Sequence, residues 1–575
     1  MFVGPIFTRE AMTVPRQLRH YLSRSGYVGA LFVLIYTLGQ VTFGWQQQVF
    51  LGELARFGNQ SFQILSLLQL TLVMFFSLLF AAGNVSQEKD RKTMVLLIMT
   101  DLRNQELVLG KLAASLLMVG VLIGISAPVF VFLSLLGGVM PSQIGWVLAI
   151  AGGTGLAAGS WGSLMAFWRE KTFQTLAWSV LGLVLFLGIV EGSLPLLGST
   201  STAGQIVSLF NPYRGMMVVL EPQSILAEAG LISSNPLNYV LASLGLSVLL
   251  SGYAVARVRV WNPSDALWMV PKVEEGAKTV IAPTRRVWNS PIIWREICTS
   301  AYGKKVFVIK LAYLAIFLAA IFGVSRFGAD ADLVLGMISP SGFAFVGLSL
   351  LSLVLMNAQS VTSMTTERDA KTLEILLVTD VTAKEFIYGK LGGAIYNAKE
   401  VILLPLALAV WFAFQGLLSV ENLIYVVIGF LVLSMFSVML GLHSGLSFEN
   451  SRMSIANSLG TMFFLFLGIF ICMILILEAR SSFWLQLPSF LVFILGGSLA
   501  LATSLTHKNP SPALTLSAFI LPFFTFYAIT SFLLQETLGV CLVIAATYGF
   551  TTLAMLVPAV SEFDVALGRT TLDRG

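Results

Sequence analysis

The chain has 575 residues, of which 57% are apolar and only 11% are charged, and its mean hydropathy is +0.86. Soluble domains carry about 25% charged residues, so this composition excludes an ordinary soluble protein. The net charge of +5 does not indicate nucleic-acid binding, because basic residues in a membrane protein mainly report its orientation. The three cysteines and three histidines are scattered, which argues against a disulfide framework or a metal site.

Apolar runs recur along the whole chain, and each is long enough to cross about 30 Å of hydrocarbon. We therefore predict an all-α, polytopic membrane protein of about 14 transmembrane helices, preceded by an arginine-bearing helix on the membrane surface. The predicted spans of the first half are 28–44, 62–83, 107–137, 143–167, 173–193 and 237–256. Those of the second half are 306–324, 342–362, 391–416, 422–446, 455–477 and 485–505, and two extra spans follow at 514–534 and 538–558.

The basic residues predict the orientation of these spans. Only Arg56, Arg214, Arg326 and Arg480 fall on one side of the predicted bilayer, and the remaining lysines and arginines fall on the other side. The positive-inside rule makes the second side cytoplasmic and places both termini there. Segment 194–236 then lies outside, where its Asn-Pro and Glu-Pro turn signals predict a surface or re-entrant hairpin.

The polar segment after the second span recurs after the eighth span, 279 positions later. Eleven identities in 25 positions are more than orientation alone requires, so we interpret the segment as a loop that binds a partner. The identities in the first copy are Glu88, Asp90, Lys92, Thr93, Leu97, Thr100, Asp101, Glu106, Gly110, Lys111 and Leu112. In the second copy they are Glu367, Asp369, Lys371, Thr372, Leu376, Thr379, Asp380, Glu385, Gly389, Lys390 and Leu391.

Two further anchors define the repeat. Arg9-Glu10 recurs as Arg295-Glu296, and the Asn-Pro-Ser at 262–264 recurs at 509–511. Because each half has six spans, the two copies insert in the same orientation, as a parallel internal duplication. The predicted domains are a first unit at 1–256, a cytoplasmic linker at 257–290, a second unit at 291–505, and two extra spans with a tail at 506–575.

The loop itself has a short apolar run, at 94–99 and 373–378, which is too short to span and is expected to pack on the helix ends. Thr100-Asp101 and Thr379-Asp380 are expected to cap the next helix, with Glu106 and Glu385 too far along to complete a capping box. The following Gly-Lys is not a phosphate-binding loop, because Leu stands where Ser or Thr is needed. We therefore expect no nucleotide site in this chain and no enzymatic activity of its own.

The pattern resembles the membrane-spanning permease subunits of ABC transporters of the type-2 export class, over both halves from Pro5 to about Ala513. In that family a surface helix precedes six spans, and the loop between spans two and three reads Glu, a basic cluster with Thr, an apolar stretch, a Thr-containing turn and Gly-Lys. The chain departs from the family pattern by carrying two units and two extra spans. The matching residues are Glu88, Lys92, Thr93, Thr100, Gly110 and Lys111, and Glu367, Lys371, Thr372, Thr379, Gly389 and Lys390.

The resemblance implies an exporter in which loops 86–106 and 365–385 contact a separate ATPase subunit, expected in two copies. ATP and Mg would bind that partner, so this chain needs no cofactor. With both units fused, a homodimer is not required. The residues expected to couple to the ATPase are Glu88, Asp90, Lys92, Thr93, Thr100, Asp101, Glu106, Glu367, Asp369, Lys371, Thr372, Thr379, Asp380 and Glu385. The surface-helix residues Arg9, Glu10, Arg295 and Glu296 would lie near the ATPase, although anchoring at the lipid headgroups explains them too.

Lys399 and Glu400 stand about ten residues after Lys390, where the ninth span is expected. A charge inside the bilayer indicates a functional polar site, whereas a late entry of the helix would leave both residues at the interface. Parallel repeats also fit a secondary, ion-coupled transporter, which is the alternative function. A membrane enzyme lacks support, because no catalytic set recurs at helical spacing. The expected location is a bacterial cytoplasmic membrane.

Overall fold

The computed structural model of the protein describes residues 4–13, 18–44, 50–198, 201–221, 232–263, 287–298, 306–327, 338–373, 381–479, 483–507, 511–534 and 536–561. The helices of the first half are α1 (Gly4–Thr13), α2 (Leu18–Phe43), α3 (Leu51–Asp90), α4 (Thr93–Met99), α5 (Asn104–Leu135), α6 (Pro141–Trp168), α7 (Thr172–Leu197), α8 (Thr202–Ser208), α9 (Pro212–Leu220) and α10 (Pro236–Trp261). Those of the second half are α11 (Pro291–Cys298), α12 (Val306–Phe327), α13 (Pro340–Asp369), α14 (Ala383–Asn397), α15 (Lys399–Phe414), α16 (Val420–Ser447), α17 (Ser451–Ala479), α18 (Phe483–Leu505), α19 (Pro512–Leu533) and α20 (Thr537–Ser561).

Within these ranges, 13 helices are long and apolar enough to cross a membrane, and the bent pair α14–α15 makes a fourteenth. The prediction of an all-α, polytopic protein of about 14 spans is therefore confirmed. The protein is an integral membrane protein by the length and composition of these helices.

Several spans begin at a sequence signal that needs no tertiary contact. Pro236 and Pro340 each stand at the first position of a helix, where a proline costs no backbone hydrogen bond. The residue before each proline, Asn235 or Ser339, caps the helix with its side-chain oxygen, which accepts a hydrogen bond from the first turn. Pro512 follows Ser511 in the same way. The first residue of each of these spans can therefore be located from the sequence alone.

The two halves repeat their helix bounds in the 279-residue register. Helix α6 and helix α16 begin and end 279 positions apart, and so do α5 and the α14–α15 pair taken together. Helices α3 and α13 end at Asp90 and Asp369, again 279 positions apart. The register of the repeated loops therefore extends from the end of span two through span four.

The crossing of spans two and four is built the same way in both halves. A Cβ on Gly162 would lie 2.5 Å from the carbonyl oxygen of Leu78, and a Cβ on Gly441 would lie 2.8 Å from that of Asn357. All four positions match at the 279-residue offset. Only glycine lets the two backbones approach this closely, as in the small-residue crossings typical of membrane helices.

The halves meet through spans one, two and five. Helix α3 packs on α17 and helix α13 packs on α7, while α2 and α12 each contact the fifth span of the other half. Phe75 stacks on Phe463 across this interface with ring centroids 4.2 Å apart. Arg452 also donates a hydrogen bond to Asn84 across it. The interface therefore combines apolar contact in its middle with polar contact toward the end where α3 and α13 terminate.

The last helices break the symmetry. Helix α10 packs along α6 and touches α5, and in the second half it is α20 that packs along α16 and touches α14. Helix α18, which follows span five as α10 does, instead packs on α19 and on α2 of the first half. The chain thus has two helices beyond six per half, as expected, but packing identifies them as α18 and α19, with α20 as the structural counterpart of α10.

Segment 194–236, for which the turn signals predict a surface or re-entrant hairpin, contains the short helices α8 and α9. Helix α9 packs on α3, α6 and α10. The Tyr213 hydroxyl lies 3.0 Å from that of Thr71 in α3, and Glu191 at the end of α7 accepts hydrogen bonds from Asn211 and Arg214, each at 2.9 Å. This carboxylate raises the pKa of Arg214 above its ordinary value. The described part of the segment, 201–221 and 232–236, therefore closes the end of the first half opposite the loops.

Candidate functional site

Both repeated loops begin with the same unusual turn. Lys92 has φ 59° and Lys371 has φ 56°, and among the described residues these are the non-glycine positions in the left-handed region. The next residue steadies the turn in each copy: Thr93 donates to the carbonyl of Glu88 at 3.2 Å, and Thr372 to that of Glu367 at 3.1 Å. A lysine in this conformation is strained, so the surrounding contacts must hold it.

Those contacts start with an ion pair between the loop and the next span. Glu88 pairs with Lys111, and Glu367 pairs with Lys390, whose Nζ lies 2.6 Å from the carboxylate. The repeated Gly-Lys thus supplies a lysine that turns inward to the glutamate of its own loop. The glutamates, predicted to face a partner, are engaged within the protein, with side chains 22% and 15% exposed.

In the second half, the ion pair grows into a four-residue cluster. The Lys390 side chain is only 1% exposed, and it contacts Glu296 of α11 at 2.6 Å as well as Glu367. Arg295 pairs with Glu367 and lies 3.5 Å from Glu296. Glu296 is buried, so this part of the predicted surface pair ties α11 to spans two and three and does not anchor it at the headgroups. We name Arg295, Glu296, Glu367 and Lys390 the buried cluster.

In the first half, Arg9 lies in α1. Helix α1 packs on α5 in the same way that α11 packs on α14 in the second half. The side chain of Glu10, predicted as the counterpart of Glu296, lies outside the described residues. A Cβ on Gly4 would lie 2.9 Å from the side chain of Glu106, so the start of α1 sits against the first turn of α5. Both short helices therefore adjoin the third span at the end where the loops lie.

A second pair of basic residues was missed by sequence reasoning. Lys89 donates to the carbonyls of Phe167 and Arg169, at 2.5 and 2.9 Å, where α6 ends. Arg368 donates to the carbonyls of Gly445 and Phe448 where α16 ends. A cation at the end of a helix satisfies its last carbonyls and its dipole. Lys89 and Arg368 stand 279 positions apart and both carry a positive charge. A comparison of the two copies by charge, and not by residue identity, would therefore have found them.

Arg169 itself, at the end of α6, lies over the rings of Trp168 and Trp178, with its guanidinium carbon 3.6 and 5.1 Å from the ring centroids. Burial lowers the pKa of its guanidinium from the ordinary value. These cation–π contacts help to hold the turn between spans four and five close to the first loop.

The repeated aspartates lie at the boundary between the halves. Asp90 accepts a hydrogen bond from Thr172 at the start of α7, within its own half. Asp369 pairs with Arg91 of the first half, whose Nε lies 3.3 Å away. The starts of the two loops therefore lie side by side at one end of the bundle, which we call the loop end, and a charged pair bridges them.

The apolar run of the first loop forms helix α4, as a short amphipathic segment. Met94 and Ile98 are buried in a cluster with Val85 and Val108. This confirms for the first copy that the run packs on the helix ends, whereas residues 374–378 of the second copy lie outside the described residues. Leu96 and Met99 face outward, 60% and 53% exposed, and they define the exposed α4 face. Beyond them, Lys92, Thr100 and Asp101 are exposed too.

The capping expectation for the next helix is wrong. Helix α5 begins at Asn104, and the Glu106 carboxylate accepts a hydrogen bond from the backbone amide of Arg103 at 3.1 Å. In the second copy, Thr382 and Glu385 form a full capping box. Glu106 and Glu385 are therefore the third residues of their helices, because the turn after Thr100-Asp101 is longer than assumed. Thr379 and Asp380 lie outside the described residues.

Lys399 and Glu400 lie at a break in the ninth span. Helices α14 and α15 meet at 53° on either side of Ala398. Glu400 pairs with Lys310 near the start of α12 at 2.7 Å, and the Lys399 ammonium lies 4.2 Å from the centroid of the Tyr396 ring. The helix at the equivalent place in the first half, α5, is unbroken. The pair belongs to this break and lies apart from the paired loops.

No known family model matches this chain, and no curated protein matches it either.

Proposed function

We propose that this protein is the membrane-spanning permease of an ATP-driven exporter of the ABC type, with the loop end in the cytoplasm. The observation that carries the proposal is the matched start of the two loops, which turn at Lys92 and Lys371 and lie side by side at the loop end. The sequence repeat implies a docking site in each loop, and two such sites at one end of a single chain suit a partner that works as a pair of identical subunits. One chain then supplies the whole pore, and two ATPase subunits bind it.

The exposed α4 face is the proposed contact for the ATPase. Leu96 and Met99 place apolar surface in water at the end of a membrane bundle, and exposed apolar surface of this kind marks partner sites. Glu88 and Glu367 hold the loops in place through their ion pairs with Lys111 and Lys390, a structural role in addition to the coupling role expected for them.

Movement of α4 would pass directly to three spans of the first half. Helix α4 packs on α3, the Glu88–Lys111 pair ties the end of α3 to α5, and Lys89 ties it to the end of α6. Helix α3 also forms the interface with the second half through α17. When the two ATPase subunits close on ATP, they would draw the loops together and rock the halves against each other. This is alternating access driven from the loop end.

The first experiment isolates the tagged chain from its host membrane in mild detergent and identifies what accompanies it. We expect an ATPase with a phosphate-binding loop, at two copies per chain. Leu96→Glu should reduce its recovery about tenfold, equivalent to about 1.4 kcal/mol. Val260→Glu is the matched control, because Val260 at the end of α10 is 66% exposed and lies outside the loops.

Recovery of the wild-type chain without any ATPase, and without ATP hydrolysis in the fraction, would overturn the proposal. Equal recovery with Leu96→Glu and Val260→Glu would instead move the contact away from the exposed α4 face.

The Lys310–Glu400 pair favours a second candidate, an ion-coupled secondary transporter. Carriers of that class use ionisable residues at broken helices, and this pair lies at the break between α14 and α15. Glu400→Gln separates the two functions. In an ATP-driven exporter this change should leave ATP-dependent transport within about twofold of wild type, since a partly exposed ion pair contributes little. If Glu400→Gln instead abolished a transport activity that is driven by an ion gradient, the protein would be an ion-coupled carrier.

A further inference from the structure

The first half contains an apolar cleft that is separate from the paired loops. Its volume is about 190 Å³. Helix α6 forms its floor with Ala157 and Trp161, and helices α7 and α10 form its walls with Leu183 and Leu246. Leu209 and Pro212 close its outer end from the segment around α9.

The cleft faces the bilayer. Helices α7 and α10 both pack on α6, but within the part of the chain that the structure describes they do not pack along each other, so a gap between them leads to the cleft. Only 17% of the apolar window of each of these two helices is buried within the protein. In a membrane, these two helices would turn apolar faces toward the bilayer, so lipid tails and not water would surround an opening between them.

The second half fills the corresponding place with its own chain. There, α19 packs on both α17 and α20, the counterparts of α7 and α10, and so covers the gap between them. Leu514, Ala518 and Leu521 of α19 are fully buried in one cluster with Phe436. Phe436 stands at the position that Ala157 occupies in the first half, and its ring meets that of Tyr548 at 5.1 Å. An apolar helix and a large ring thus replace the cleft.

We propose that an acyl chain of a bilayer lipid occupies the first-half cleft, in the place that α19 and Phe436 fill in the second half. Unfilled space in a well-packed protein forfeits dispersion contacts, and apolar cavities take up apolar guests readily. A cavity of about 150 Å³ holds a benzene molecule, so a cleft of this size accepts the end part of one alkyl chain and not a whole lipid.

The test uses the full chain in phosphatidylcholine nanodiscs that contain a phosphatidylcholine with a diazirine near the end of one acyl chain. After illumination, mass spectrometry of peptides locates the label. We expect labelling concentrated on the lining segments of α6, α7 and α10, above that of the lipid-exposed outer faces of the same helices. Ala157→Phe should reduce this labelling about tenfold, because it supplies the ring that Phe436 supplies in the second half.

Leu156→Phe is the matched control, because Leu156 neighbours Ala157 on α6 but is 40% exposed, and it should leave the labelling unchanged. If Ala157→Phe does not fold, Leu246→Phe fills the cleft from the α10 wall, with Leu249→Phe on the exposed face of α10 as its control. Labelling no denser in the cleft than on the exposed faces, or unchanged by a folded cleft-filling variant, would overturn the proposal.

Discussion

The two halves share one plan in their repeated loops and differ in the helices around them. In the loops, the left-handed lysines, the Glu–Lys pairs and the cations that bind the last carbonyls of the fourth span recur at a constant offset. Elsewhere, the first half has α8, α9 and an apolar cleft, whereas the second half has two added spanning helices, α18 and α19. The shared loops are where both halves would receive the same signal.

The added helices also show how an asymmetric protein can be made from a duplicated one. Helix α18 packs on α2 of the first half, while α19 covers the gap between α17 and α20. One hairpin therefore joins the two halves and completes the packing of the second. The first half has its short helices and the cleft in place of such a hairpin.

The buried cluster gives the largest expected difference between the halves. Lys390→Met should destabilise the protein by about 3–5 kcal/mol, because Glu296 and Glu367 lose a cation they share in a buried site. Lys111→Met should cost about 1–3 kcal/mol, since Glu88 is nearer to water and regains hydration. Thermal unfolding in detergent, followed by intrinsic fluorescence, measures both.

Lys384→Met is the control for the loss of a lysine, because Lys384 is exposed in the first turn of α14. It should change stability by less than about 0.5 kcal/mol. Equal destabilisation by Lys390→Met and Lys111→Met would contradict the expectation that the buried cluster contributes more stability than the Glu88–Lys111 pair. The ion pairs of the two halves would then contribute equally.

The crossing of spans two and four should respond equally in both halves. Gly162→Ala and Gly441→Ala each bring a Cβ against a backbone carbonyl that cannot rotate away, so each should destabilise by about 1–3 kcal/mol. Gly120→Ala is the control, because a Cβ at that position would have none of the described residues within 4 Å, and alanine favours a helix. Thermal unfolding of the three variants compares them.

If one of the two substitutions destabilised the protein strongly and the other did not, spans two and four would be packed differently in the two halves despite their matching sequence positions. Equal effects would mean that the duplicated core is held together in the same way on both sides, whatever surrounds it.

Sequence alone predicted much of this arrangement, and the places where it failed have physical reasons. Span positions followed from hydropathy. The repeat in the sequence aligned Lys92 with Lys371, but nothing in it indicated the left-handed turn that both residues adopt. Identity counting missed Lys89 and Arg368, because either cation satisfies helix carbonyls. The inward direction of Lys390 was missed because the sequence does not show that Glu296, 94 positions earlier, comes to meet it.

The assignment of the added helices failed for another reason. The Asn-Pro-Ser repeat at 262–264 and 509–511 aligned α18 with α10, yet packing aligns α20 with α10. A short turn motif indicates where a helix begins or ends, but it does not determine on which neighbouring helices that helix packs. The packing depends on the shapes of α16 and α19, to which Phe436 and Leu521 contribute.

The smallest expected effect concerns the one charged pair described between the two loops, Arg91 and Asp369. Arg91 is 44% exposed and the atoms lie 3.3 Å apart, so Arg91→Ala should cost no more than about 1 kcal/mol. A double-mutant cycle with Asp369→Asn, read by thermal unfolding at low and high salt, isolates the pair from the other contacts of each residue. A coupling energy near zero would mean that the halves are held by apolar contacts such as Phe75 on Phe463. A coupling above about 2 kcal/mol that persists in high salt would contradict the expectation, because exposed pairs are screened. The loops would then be locked together in this state, and a partner that moves them apart would first have to break that pair.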